Sequence, residues 1–131
     1  MGNNKPSKPT ESELEILAIL WEKGPATVRD IHEVLEQSKD AGYTTTLKLM
    51  QIMHEKGLVD RDTSSKTHVY QAAVSQKDTQ QQLLSKMIDT VFNGSASQLV
   101  LQALGNRHSS AAELDAIKEY LDQMEKKGKS K

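Results

Sequence analysis

The first third of the chain repeats apolar positions at helical spacing in three successive segments. The first segment opens with Thr10-x-x-Glu13, a capping box that satisfies free N–H groups at a helix start. The apolar residues Leu14, Leu17, Ala18 and Trp21 follow on one predicted face. Gly24-Pro25 then predicts the end of this helix.

The next two segments predict a second and a third helix. Thr27 is the expected N-cap of the second, whose apolar residues are Val28, Ile31, Val34 and Leu35. The third is predicted over 44–56 and is closed by Gly57. Two β-prone pieces, 58–61 and 67–71, follow with a polar link that predicts a hairpin turn. Three helices followed by a hairpin are the element order of a winged helix-turn-helix.

The chain after residue 75 predicts only helices. Ser75-x-x-Asp78 caps the first, which ends at Asn93-Gly94; a short helix over 95–104 ends at Gly105; Ser110-x-x-Glu113 caps the last. These helices contain too few residues to close a core alone. Their apolar stripes therefore need a partner, and a second copy of the chain is the simplest one.

The predicted fold class is therefore mainly α with a small β-hairpin wing: a winged helix-turn-helix followed by C-terminal dimerisation helices. The expected domains are a disordered arm over 1–9, a DNA-binding winged helix over 10–75, a helical dimerisation region over 76–127 and a frayed tail over 128–131.

A helical wheel of the third helix separates a core face from a free face. Thr46, Leu49, Met50 and Met53 cluster on one side, and Thr44, Lys48, Gln51 and Glu55 lie opposite, with Leu47 and Ile52 between. Threonine and glutamine can read base edges in a major groove, and lysine can reach phosphate or guanine. The alternative is an ordinary solvated helix face, which the hairpin that follows makes less favourable.

The hairpin tip concentrates donors and positive charge in Arg61, Ser64, Ser65, Lys66, Thr67 and His68. A wing over 61–68 would lie along the DNA backbone, where such residues contact phosphates. The alternative is a solvated turn.

Composition narrows the function further. The net charge is −1, so any nucleic-acid face must be local, and 63–71 holds Lys66 and His68 but no acid. The chain has no cysteine, which excludes disulfides and thiolate metal sites. No apolar run approaches the length of a membrane span and no signal-peptide pattern opens the chain, so we expect a cytoplasmic protein without membrane insertion.

The chain carries a series of motifs in this order: Glu13-Leu-Glu15, Leu20-Trp21, Tyr43-Thr-Thr-Thr-Leu-Lys48, Glu55-Lys-Gly-Leu-Val59 and His68-Val-Tyr70. Together they resemble the penicillinase-repressor family of winged-helix regulators, the BlaI/MecI/CopY type. The resemblance spans about 10–125. It implies a homodimeric repressor on a pseudo-palindromic double-stranded DNA operator, with a membrane-embedded sensor protease as a further partner. By position, Thr44, Thr45 and Lys48 fall in the recognition helix, and Lys66 and His68 in the wing. The implied dimer residues are Leu83, Met87, Val91, Leu99, Leu101, Leu114, Ile117 and Leu121.

Two features of the sequence depart from the family pattern. Copper-responsive members carry a cysteine-rich motif near the C-terminus, which this chain lacks. The β-lactam repressors are released by proteolysis at an Asn-Phe bond, and the matching position here is Gln102-Ala103.

Two other classes of function are alternatives to DNA binding. A winged helix can dock a protein instead, with Leu47 and Ile52 as anchors. An enzyme is not expected, because no catalytic constellation, phosphate-binding loop or metal-ligand spacing is present, and no cofactor is predicted. His32 and Glu33 are interpreted as a solvated helix face.

Overall fold

The computed structural model describes residues 8–129. The arm expected at 1–9 lies outside this range except for its last two residues, which have no regular structure. In chain order the elements are α1 (Glu11–Lys23), α2 (Val28–Leu35), α3 (Tyr43–Glu55), β1 (Val59–Asp62), β2 (Val69–Ala72), α4 (Gln76–Thr90), α5 (Ala96–Asn106) and α6 (Ala111–Lys129). A boundary between two compact units falls between Gln82 and Leu83, within α4. The predicted fold class, a winged helix followed by further helices, is confirmed.

Side-chain caps explain where several helices begin. The N–H of Glu13 donates to the Thr10 hydroxyl at 3.2 Å while the Thr10 N–H donates to the Glu13 carboxylate at 2.8 Å. Thr27 and Asp30 form the same reciprocal pair at the start of α2, with both distances 3.1 Å. By contrast, the N-cap of α3 is Gly42, which has no side chain to accept from the first turn. The N–H groups of that turn therefore lack the side-chain cap that α1 and α2 have.

The core of the first unit lies where α1, α2 and α3 meet the hairpin. Its fully buried side chains are Ile16, Leu17, Ile31, Met50, Met53, Leu58, Val59 and Tyr70. The predicted core face of α1 is partly wrong, because Ala18 is exposed and Glu13, Ile16 and Leu20 are buried instead. Most of 14–21 is apolar, so its periodicity is ambiguous, and the acid Glu13 can enter the core because Lys56 pairs with it.

The wing is a two-stranded antiparallel hairpin that pairs Val59 with Ala72 and Arg61 with Tyr70. Ala26, between α1 and α2, joins its edge through two backbone hydrogen bonds with Tyr70, at 2.9 and 2.8 Å. This bridge fixes the hairpin against the helices. The base of the wing is therefore held by buried backbone bonds, whereas its tip is exposed.

The second unit is helical, and none of its residues 83–128 is buried. Three helix ends differ from the prediction: α4 ends at Thr90, before the expected Asn93-Gly94, α5 continues through Gly105 to Asn106, and α6 runs to Lys129, into the stretch expected to fray. Residues 130–131 of that tail lie outside the described part of the chain.

Candidate nucleic-acid interface

The helix α3 divides into a buried and a free face. Thr46, Met50 and Met53 are buried against the rest of the unit. Thr44, Lys48, Gln51 and Glu55 are exposed, and Leu47 and Ile52 are half-buried between the two faces. This burial agrees with the helical wheel. The face that the core leaves free is polar and carries one cation and one amide in consecutive turns.

A groove separates α3 from the wing, and its lining contains no carboxylate. It is lined by Thr27, Val28, Arg29, Tyr43, Leu47, Gln51, Arg61, Lys66, Thr67, His68 and Tyr70. Its lining combines apolar side chains, such as Val28 and Leu47, with cations from α2, β1 and the wing tip. A chain with a net charge of −1 therefore presents a local surface without acid that attracts anions.

Arg61 lines this groove and pairs with Tyr70 in the hairpin register. Its Nε is buried and, among the described residues, has no hydrogen-bond partner. A buried donor left unpaired costs about 1–3 kcal/mol, so an acceptor brought by a ligand would be favoured here. A phosphate or base oxygen is such an acceptor.

The tip of the wing is ordered by its own side chains. The Ser64 N–H donates to the Asp62 carboxylate at 2.9 Å, and the Ser65 hydroxyl donates to the Thr67 carbonyl at 3.0 Å. The hydrogen bonds from Ser64, assisted by the nearby His68, hold the pKa of Asp62 below its ordinary value. Asp62 therefore stays ionised and places one negative charge beside the cations of the wing.

The structure brings together some of the predicted DNA-binding residues and separates others. Gln51, Arg61, Lys66, Thr67 and His68 line the groove together. Thr44 and Lys48 are exposed on α3 but do not line the groove. Thr45 lines a different depression, which it shares with residues of α1 and of the turn before α3. If all of these residues serve one ligand, it must extend beyond the groove along α3.

Sequence reasoning missed the contribution of α2. The Arg29 guanidinium carbon lies 5.8 Å from the centre of the Tyr43 ring, and both residues line the groove. Arg29 is exposed, within the first turn of α2, and is the one basic residue of that helix apart from His32. Its position two residues after the Thr27 N-cap was the available signal.

The expectation that His32 lies on a solvated face is wrong, because it is buried and only 7% exposed. Val28, Ile31, His32 and Leu35 follow the spacing of a core-facing stripe, and that spacing could have revealed its burial. The buried ring is compensated by a hydrogen bond to Thr46 and a contact with Glu36.

The implied dimer residues lie in the second unit and are largely uncovered. Val91 and Leu101 are 67% and 69% exposed. Met87, Leu114 and Leu121 are also exposed, and Leu83, Leu99 and Ile117 are half-buried. So many large exposed apolar side chains in a short segment are typical of a surface that another chain covers.

Comparisons with known proteins agree on one family. The Penicillinase repressor family model matches residues 9–123. The methicillin resistance regulatory protein MecI of Staphylococcus aureus (strain N315) is 26% identical over 120 residues, which cover 92% of this chain and 98% of the relative. The transcriptional regulator BlaI of Mycobacterium tuberculosis (strain CDC 1551 / Oshkosh) is 29% identical over 116 residues, covering 86% and 82%. A penicillinase repressor of Staphylococcus aureus is 19% identical over 124 residues, covering 95% and 98%.

No helix within residues 8–129 has both the length and the apolar character that a membrane crossing requires.

Proposed function

Because the chain belongs to the penicillinase repressor family of DNA-binding transcriptional repressors, which are not enzymes, we propose that it binds a pseudo-palindromic operator as a homodimer. Each winged helix, residues 10–75, would bind one half-site, and residues 76–127 would hold the two copies together. The observation that carries this proposal is the acid-free groove between α3 and the wing. It supplies a local cationic surface that the overall charge does not.

In this proposal the free face of α3 enters the major groove of the operator. Gln51 would read a base edge, and Thr44, Thr45 and Lys48 would contact bases or the adjacent backbone. The wing residues Arg61, Lys66, Thr67 and His68 would follow the phosphates. Arg29 adds a further cation to the groove and would also contact the DNA backbone.

Dimerisation would use the exposed apolar residues of α4, α5 and α6. One winged helix offers few cations, so binding by a single copy would be weak. Linking two half-sites makes the second engagement effectively intramolecular and raises affinity by roughly 10²-fold or more. A two-fold dimer would place the recognition helices about 34 Å apart or at a multiple of that distance, which sets the half-site spacing.

Repression by such a dimer is relieved when the two copies separate. We propose that a membrane-embedded sensor protease is one route, acting in the cytoplasm where the operator lies. Gln102-Ala103 is exposed, but it lies inside α5. Because proteases bind extended backbone, cleavage there would first require part of α5 to unwind.

The test separates base reading from phosphate contact. The wild-type chain first selects its preferred duplex from a random-sequence library, and binding is then measured against a scrambled duplex at several salt concentrations. Gln51→Ala should cost about 1–3 kcal/mol on the selected duplex only, whereas Lys66→Ala should weaken both duplexes and lower the salt slope by about one. Gln123→Ala and Lys126→Ala on α6 are matched controls.

Two results would contradict the proposal. One is a wild-type chain that selects no sequence and binds every duplex equally, in which case the face of α3 serves a protein partner. The other is a monomer in sedimentation equilibrium at the concentrations where it binds DNA. Leu101→Glu, which places a charge at the most exposed of the large apolar residues, should weaken both dimerisation and DNA binding.

A further inference from the structure

His32 of α2 contacts the first turn of α3 and is buried there. Its Nδ1 lies 3.0 Å from the Thr46 hydroxyl, and its ring edge meets the Tyr43 ring at a centroid distance of 5.5 Å and an angle of 85°. Tyr43 is the first residue of α3, and Thr46 lies one turn further. One side chain of α2 therefore contacts both ends of the first turn of α3.

The two ring nitrogens of His32 have polar neighbours on different sides. Nε2 lies 3.2 Å from a carboxylate oxygen of Glu36, four residues further along the chain. The Thr46 hydroxyl, on the Nδ1 side, also lies 3.5 Å from the Gly42 carbonyl, to which it can donate. The His32 ring and the Gly42 carbonyl therefore both hold the Thr46 side chain at the start of α3.

The helix that His32 contacts here has no side-chain cap. Gly42, its N-cap, offers no side-chain acceptor, whereas Thr10 and Thr27 cap α1 and α2 with reciprocal hydrogen bonds. An N-cap side chain would bind backbone N–H groups of the first turn, so the contact with His32 acts on the side chains of that turn instead. The turn held by His32 includes Thr44 and Thr45 and precedes Lys48 by half a turn.

We propose that His32 is a positioning residue for DNA recognition: through Thr46 and Tyr43 it fixes the first turn of the recognition helix in the orientation that reads the operator. The inference rests on the proposed function. His32 lies inside the unit and is not proposed to touch DNA. Its removal should therefore reduce sequence discrimination without removing phosphate contacts.

Four variants of the full-length chain isolate the contact. His32→Phe keeps a ring against Tyr43 but removes the hydrogen bond to Thr46 and the contact with Glu36. His32→Asn loses the ring but places an amide group near the position of Nδ1, where it can donate to or accept from the Thr46 hydroxyl. Thr46→Val removes the hydroxyl at nearly constant volume. His54→Phe, at a half-buried histidine near the other end of α3, is the matched control.

For each variant, DNA affinity is measured on the duplex selected by the wild-type chain and on a scrambled duplex, and its salt dependence is determined. The thermal stability of each variant and the hydrogen exchange of its amides at 46 and 47 are measured as well. His32→Phe and Thr46→Val should weaken the selected duplex by about three- to tenfold, the equivalent of one hydrogen bond. Scrambled-duplex affinity and the salt slope should stay unchanged, and exchange at 46 and 47 should accelerate. His32→Asn should recover part of the loss, and His54→Phe should bind like the wild-type chain.

The outcomes distinguish this inference from the proposed function. A wild-type chain that does not discriminate between the duplexes refutes the proposed function, and the inference falls with it. A discriminating wild-type chain whose discrimination survives His32→Phe and Thr46→Val overturns the inference alone. Equal losses on both duplexes would also overturn it, because they would show general destabilisation instead of positioning.

Discussion

The ion pair between Glu13 and Lys56 ties the start of α1 to the end of α3, and its removal should destabilise the first unit. The Lys56 ammonium lies 2.6 Å from a Glu13 carboxylate oxygen, and the Glu13 side chain is only 3% exposed. The same oxygen accepts the Thr10 N–H at 2.8 Å. Glu13 is therefore a buried carboxylate that depends on one cation and one backbone donor.

Lys56→Met retains much of the aliphatic packing but leaves the carboxylate without its cation. Breaking a buried pair from one side costs about 3–5 kcal/mol. The Lys56 side chain is 22% exposed, so solvent reaches the pair, and we expect about 2–3 kcal/mol here. Glu13→Gln keeps an acceptor for Thr10 and Lys56 and should cost about 1 kcal/mol, the difference between a charge-assisted and a neutral hydrogen bond. The double variant should cost less than the two together, with a coupling of about 1–2 kcal/mol.

Urea unfolding of the four chains at one protein concentration measures this coupling, because any contribution of dimerisation cancels in the cycle if it is unchanged. A coupling below about 0.5 kcal/mol would refute the reasoning, since the pair would then be worth no more than a surface contact.

The same carboxylate predicts a pH dependence. Burial raises the pKa of Glu13, but the Lys56 ammonium and the Thr10 N–H together lower it by more than burial raises it. The pKa of Glu13 therefore lies below its ordinary value of 4.5. A depressed folded-state pKa contributes stability that is present above that ordinary value and is lost as the pH falls through the folded pKa. The stability difference between wild type and Glu13→Gln should therefore narrow at acidic pH. A constant difference would contradict this assignment.

Three further predictions concern the wing, the end of the first unit and the backbone. Asp62→Asn keeps the acceptor of the wing turn but removes a negative charge, so DNA affinity at low salt should rise by about two- to fivefold and the gain should fade at high salt; an unchanged affinity would contradict it. Trp21→Phe removes the hydrogen bond from Nε1 to the Val74 carbonyl, at 3.0 Å, and should lower the unfolding free energy by about 1–2 kcal/mol; equal stability would show that the bond is dispensable. Gly24→Ala should lower the unfolding free energy by about 1–3 kcal/mol, because the φ angle of Gly24 is +87°, whereas Gly42→Ala should have little effect. At neither site does an added Cβ have an atom within 4 Å, so equal losses of stability in the two variants would refute this explanation from backbone conformation.

The sequence predicted the elements well wherever local chemistry decides them. Thr10, Thr27 and Ser110 cap the helices that they were expected to cap. The faces of α3 were also predictable, because the buried Thr46, Met50 and Met53 lie on one side of the helix and Thr44, Lys48, Gln51 and Glu55 lie opposite. In these segments the local pattern and the tertiary packing favour the same conformation.

The misses have a common physical origin, which is that tertiary partners decide the outcome. Glu13 and His32 are buried because Lys56 and Thr46, distant in sequence, satisfy their polar atoms. Arg29 joins the groove because the hairpin folds back beside α2, which no helical wheel can show. Periodicity describes one element at a time, whereas these residues depend on pairs of elements.

We propose that this chain is a sequence-specific DNA-binding protein whose contacts are largely electrostatic. Fluorescence anisotropy tests this with labelled duplex DNA from upstream of the chain's own gene, against a scrambled duplex of the same composition, at several salt concentrations. We predict that the upstream duplex binds at least about 10³-fold more tightly and that the logarithm of each affinity falls linearly with the logarithm of salt concentration. Equal affinity for the two duplexes, without salt dependence, would contradict sequence-specific electrostatic binding.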